Sequence, residues 1–90
     1  MVHMISYDLN GRERPSSYTK VKEVIERKAI DSRRPLYSQW FVQTNDSPQG
    51  WVDALKGVVD GNDRLLVCQV RRPYQGLLDP KIWDWLNPRI

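Results

Sequence analysis

Asp8 closes an apolar run, Met4-Ile5-Ser6-Tyr7, and precedes the turn signal Asn10-Gly11 and a basic stretch. A carboxylate where a strand passes into a loop is well placed for chemistry, because loops on a rigid scaffold carry many functional side chains. One aspartate cannot close a magnesium site, since that ion takes oxygen ligands in octahedral array. Two copies of Asp8 in a symmetric dimer can supply one carboxylate each, with waters and a substrate phosphate completing the set. The other reading is structural: Asp8 caps the turn by accepting hydrogen bonds from nearby backbone amides. The residues alone leave both open.

Other chemistries find little support. With one histidine and one cysteine there is no zinc cluster, and no nucleophile–histidine triad can be built. Asn10-Gly11-Arg12 lacks the spacing of a phosphate-binding glycine loop. His3, near the start of the sequence, is expected to be exposed. Ser38 taken alone reads as a turn residue. Cys68 lies in an apolar stretch and reads as a small core residue. Tyr7, Tyr37, Trp40 and Phe41 read as core or sheet-face aromatics, although such rings can also stack unpaired bases.

Charge is unevenly distributed. The net charge is +3, and the stretch from Arg12 to Arg34 holds eight basic and four acidic residues. From Pro35 onward six basic and six acidic residues cancel. The early stretch is therefore the candidate polyanion surface. Arg12, Arg14, Arg33 and Arg34 are its key members, since they fall outside the expected helix. The competing reading is a solvated helix face with ion pairs such as Glu23–Arg27. No apolar run approaches the length of a membrane span, and no secretory signal is visible. A cytoplasmic protein is expected.

The elements that must position these residues follow from periodicity and turn chemistry. Ninety residues suit one small domain, residues 1–90, for which a dimer interface would be a natural supplement. Residues 2–8 read as a strand. Tyr18, Val21, Ile25 and Ala29 recur at helical spacing and predict a helix over 17–30. Asp31 to Arg34 reads as a polar connection. Leu36 to Thr44 is β-rich, as two short strands with a turn near Ser38-Gln39 or as one bent strand. Ser47-Pro48 starts a second helix that should end at Asp60-Gly61-Asn62 with Gly61 left-handed. Arg64 to Arg71 is a nearly continuous apolar strand, which suggests burial on both faces. Asp79-Pro80 opens a short terminal helix with Ile82, Trp83, Trp85 and Leu86. With the hairpin, the order is βαββαβ, an α+β ferredoxin-like sandwich with a short C-terminal helical extension. Two helices cover one sheet face, so a second subunit or the terminal helix should cover the other.

Taken together, Ile5-Ser6-Tyr7-Asp8, the first helix, Tyr37-Ser38-Gln39-Trp40-Phe41-Val42 and Asp63-Arg64-Leu65-Leu66-Val67 resemble the small CRISPR-associated "Cas two" proteins. They also resemble the related VapD-type toxins and stand-alone homologues. The resemblance covers about residues 4–72 and leaves 73–90 as an extension. It implies a ferredoxin-like homodimer that is either a magnesium-dependent nuclease acting on RNA or DNA or a nucleic-acid-binding scaffold. Asp8 matches the family aspartate that would hold the metal, and Ser38 matches the family serine. Arg12 and Arg14 fall in the family's basic stretch. The chain departs from the pattern in lacking the dense basic run after the first strand and in its tryptophan-rich tail, which favours a stand-alone homologue. The alternative is a non-catalytic dimer of the same fold that binds nucleic acid or a protein partner.

Overall fold

The structure is a computed structural model that describes residues 1–9 and 15–90, with the backbone alone for residues 15–17. Among the described residues the chain forms β1 (Val2–Asp8), α1 (Pro15–Lys28), β2 (Asp31–Leu36), β3 (Gln39–Gln43), α2 (Pro48–Leu55), β4 (Arg64–Gln69) and α3 (Pro80–Leu86). Short 3-10 turns, Lys56–Val58 and Asn87–Arg89, follow α2 and α3. The strands make one antiparallel sheet in the order β2-β3-β1-β4. The fold is therefore α+β.

Side chains alternate across a strand, so β1 divides its residues between two cores. Ile5 and Tyr7 join Trp40 and Val42 of β3 beneath Val21, Val24 and Ile25 of α1 and Trp51 and Leu55 of α2. Trp51 and Leu55 are fully buried, and each such burial stabilises by about 1.5–3 kcal/mol. On the opposite face Val2 and Phe41 pack under Ile82, Trp85 and Leu86. The terminal helix thus covers the second face at its Val2 end. Toward Asp8 that face is open, with Leu66 and Leu36 at 60% and 50% exposure.

Local chemistry explains the helix starts. The Ser47 hydroxyl accepts from the Gly50 amide at 3.1 Å, with Pro48 at the first position, where a missing N–H costs nothing. Asp79 caps α3 in the same way through the Lys81 amide at 2.9 Å. The helix predicted over 17–30 runs from Pro15 to Lys28. After it the Ile30 amide already bonds the Gln43 carbonyl at 2.9 Å.

Several expectations are corrected. Residues 31–34 are not a connection but most of β2, with Asp31, Ser32 and Arg33 opposite Gln43, Val42 and Phe41. Their polarity reflects a sheet edge, where long charged side chains face water. The second helix stops at Leu55 and tightens into a 3-10 turn. Gly61 does not take a positive φ; the turn closes instead through the Asp63 amide on the Asp60 carbonyl at 3.0 Å. β4 is an edge strand, so only Leu65 and Val67 reach the helix-side core. Cys68 is half-buried on the opposite, partly covered face. His3 is fully buried, its Nε2 2.7 Å from the Asp46 carbonyl. On α1 the four-residue ion pair is Lys22–Glu26 at 3.8 Å, not Glu23–Arg27.

The extension is fastened to β2 by one carboxylate. Asp31 accepts from the Trp85 indole at 3.0 Å, from Arg33 at 2.9 Å and from Arg89 at 3.5 Å. The Trp85 bond, with help from the Ser32 amide and Arg33, holds the Asp31 carboxyl below its ordinary value of 3.8, against a smaller opposing effect of burial. A depressed folded value means that the stabilisation is present above pH 3.8 and is lost as pH falls through the folded value. The Trp85 indole N–H resonance should therefore shift on acidification with a midpoint below 3.8. Asp31→Asn should abolish that transition, which separates it from half-buried Asp46 and exposed Asp53, whose carboxyls are also lowered. An indole resonance that stays flat across the acid range would refute the latch.

Candidate functional site

β1 is a central strand, and Asp8 is its last residue, exposed on the open half of the second face. Below it on the same face is Ser6, whose hydroxyl lies 3.4 Å from the Gln39 amide nitrogen. In the sheet register Arg64 stands directly opposite Asp8, but its guanidinium turns to the Asp63 carbonyl at 3.2 Å. A shallow cleft of about 240 Å³ is lined by Ser6, Asp8, Arg64 and Leu66. Among the described residues the Asp8 carboxylate has neither a hydrogen-bond partner nor an ion-pair partner.

Asp8 is held in place by its neighbours. Tyr7 turns to the helix side, where its hydroxyl accepts from the buried Trp40 indole at 3.1 Å. The Tyr7 amide bonds the Ser38 carbonyl at 3.1 Å. Ser38 therefore sits in the Tyr37–Ser38 turn at the same end of the sheet as Asp8. Sequence reading placed Asp8 and Ser38 in one site, and the structure brings their backbones to one end of the sheet.

The arginines do not converge in the same way. Arg33 pairs with Asp31 at 2.9 Å and lies 5.4 Å from the Trp85 ring centre, on the extension side. Arg34 points to the helix side, 4.7 Å from the Tyr37 ring and 5.4 Å from the Trp40 ring, and bonds the Tyr37 carbonyl. Adjacent residues of a strand face opposite ways, so these two cannot share one phosphate. Arg12 and Arg14 lie outside the described residues. Arg64, beside Asp8, is the residue that sequence reading missed. The signal available was register: a strand paired to β1 must place some residue opposite Asp8.

Magnesium commonly uses one or two carboxylates, several waters and substrate phosphates. Among the described residues no three His, Cys, Asp or Glu side chains gather. One chain thus offers Asp8 as a single oxygen donor group, which fits such an ion when a second copy and a phosphate supply the rest. Among the described residues no helix is long and apolar enough to cross a membrane. No protein-family model matches the chain, and no curated protein matches it.

Two stability outcomes follow from this geometry. Tyr7→Phe strands the buried Trp40 indole donor and should cost about 1–3 kcal/mol in denaturant melts. Asp8→Asn removes no ion pair among the described residues and should change stability by no more than about 0.5 kcal/mol. A large loss for Asp8→Asn would return Asp8 to the role of turn cap.

Proposed function

We propose that the protein is a ferredoxin-like homodimer that hydrolyses phosphodiester bonds of RNA or DNA with magnesium, using Asp8 of each copy. The strand order β2-β3-β1-β4, with α1 and α2 on one face, supports the split βαβ arrangement. The observation that carries the reading is the position of Asp8. An exposed carboxylate without a partner among the described residues ends a central strand beside an uncovered apolar half-face. A second copy seated on Leu36 and Leu66 would remove that apolar surface from water and bring the two Asp8 side chains toward one another.

In this arrangement Asp8 holds the metal, which when bound neutralises charge at the phosphate. Arg64, opposite Asp8, is the cation nearest in register to steady a backbone phosphate. Arg12 and Arg14 would extend the phosphate track, and Ser38 would border it. The partner is RNA or DNA.

A second reading is favoured by one observation. Arg33 and Arg34 are occupied by contacts within the chain, so the phosphate-positioning set is smaller than the sequence suggests. A non-catalytic dimer that binds nucleic acid or a protein needs fewer such groups, and members of one fold need not share chemistry.

Purified protein should cleave a short RNA or DNA in magnesium and not in chelator. Asp8→Asn should reduce the rate to background while the protein stays folded. Magnesium-dependent cleavage at an unchanged rate by Asp8→Asn would remove Asp8 from the mechanism, and metal-independent inactivity would favour the binding protein. In sedimentation equilibrium the mass should be roughly twice the chain's 10.6 kDa at micromolar concentration. Leu66→Glu, on the open face, should return it to the mass of one chain; a 10.6 kDa species alone for the parent would exclude the dimer.

A further inference from the structure

The six basic and six acidic residues after Pro35 cancel by number, but folding gathers three of the arginines in one place. Arg71 and Arg72 follow Val70, whose amide bonds the Val2 carbonyl at 2.9 Å. Arg89 arrives from the final 3-10 turn. All three line one cleft of about 380 Å³ whose wall includes Val2 and Val70. Arg89 is engaged with Asp31 at 3.5 Å. Among the described residues Arg71 and Arg72 have no carboxylate within ion-pair distance. Their guanidinium hydrogen bonds, to the Gln69 side chain and the Asn87 carbonyl, are both 3.3 Å, longer than a good N–H···O bond. Both residues are exposed.

Arg72 also borders a second cleft, of about 430 Å³, lined by Tyr74, Gln75, Trp83 and Asn87. There the Tyr74 and Trp83 rings lie within 5° of parallel with centroids 6.0 Å apart. The Arg72 guanidinium sits 5.4 Å from the Tyr74 ring centre. Tyr74 is held by a hydrogen bond to the Asn87 side chain. A cationic cleft and an aromatic cleft thus meet at one arginine. A nucleotide has the matching form, an anion joined through a sugar to a flat aromatic ring.

We propose that the C-terminal extension binds single-stranded nucleic acid, with backbone phosphates at Arg71 and Arg72 and a base in the cleft beside Tyr74 and Trp83. A duplex keeps its bases stacked inside and cannot offer one to this cleft, whereas unpaired bases stack readily on aromatic and arginine planes. The amides of Gln75 and Asn87 supply donors and acceptors for a base edge. This site shares no residue with the Asp8 end, although its choice of partner rests on the nucleic-acid reading above. The two lie at opposite ends of β1, a span of about 20 Å at ~3.3 Å per residue. One strand of several nucleotides can lie across both.

The test uses the full chain carrying Asp8→Asn, in chelator, so that cleavage plays no part. Fluorescence anisotropy follows labelled single-stranded RNA and DNA and the matching duplex. Single strands should bind tighter than duplex and quench tryptophan emission. Replacing Arg71 and Arg72 together by Ala should lower the slope of log K against log salt by about 1.4, at ~0.7 for each single-strand phosphate contact, so that over a fourfold rise in salt the parent loses about sevenfold more affinity than the variant. Trp83→Phe keeps a ring packed against the core and should weaken binding while leaving the slope unchanged. An unchanged slope in the double arginine variant overturns the proposal, as does duplex binding equal to or tighter than single-strand binding. Polyphosphate competing as well as an oligonucleotide would overturn it too, since the cleft would then take an anion and no base. Loss of Asp8-dependent cleavage in the parent assay with strand binding intact would sink the nuclease reading and leave this site standing.

Discussion

A four-stranded sheet has two faces, and two helices cover only one of them. That constraint organises the molecule. In a chain of this size an uncovered apolar face costs solubility and stability, because burial per residue is already modest. The chain answers with the segment after β4. It crosses under the sheet and sets Ile82, Trp85 and Leu86 against Val2 and Phe41. β1 is thereby buried on both faces at its start, with Val2 and Ile5 at 1% and 0% exposure. At its other end the same strand leaves Asp8 in water. The exposed carboxylate and the covered tryptophan are two results of one placement.

The cover is held by directional bonds as well as by apolar contact. Trp85 buries its ring and presents its indole N–H to Asp31, while Arg89 lies 4.5 Å from the centre of the same ring. Arg89 also bonds the Gln43 side chain at 3.0 Å and the Trp85 carbonyl at 2.7 Å. A tryptophan in a core needs an acceptor for its one donor, and an aspartate on an edge strand needs donors. Each meets the other's requirement, and the arrangement fixes where α3 can sit along the sheet. Arg33 is drawn into this group, which explains why it does not serve the Asp8 end.

Much of this was legible from residue order. Ser47-Pro48 and Asp79-Pro80 announce helix starts because a short polar acceptor followed by proline satisfies the first-turn amides and sets φ. The alternation in residues 2–8 gives β1 and the placement of Asp8 at its end. The hairpin turn before β3 was legible, but the extent of β2 was not, since Ser32-Arg33-Arg34-Pro35 has the composition of a loop and its pairing to β3 comes from tertiary context. Continuous apolar character in β4 suggested burial on both faces, yet β4 ends the sheet and Leu66 on its second face stays exposed. His3 was misread because position near a terminus says nothing about burial once the strand is paired on both sides. The arginine pair at 71–72 was hidden by charge counting, which sums over a segment while the fold separates its members in space.

The sheet edges extend the same reasoning. An edge strand offers unpaired amides to any passing strand, and proteins blunt such edges with proline, charge or irregular pairing. β2 carries all three: Pro35, the arginines at 33 and 34, and a break in register between Arg33 and Leu36. β4 has neither proline nor bulge; Arg64 opens it, and Arg71 follows two residues past its last residue, Gln69. A strand that is apolar in the middle and cationic at both ends admits an anion at either end more readily than it admits another cationic edge. Its two ends coincide with the Asp8 cleft and the arginine cleft. The edge that the fold leaves least guarded against a partner strand is thus flanked by positive charge, which opposes a second copy added to its edge and suits the nucleic-acid ligand proposed above. Association through the open apolar half-face, as proposed above, would lie away from this edge and leave both arginines free.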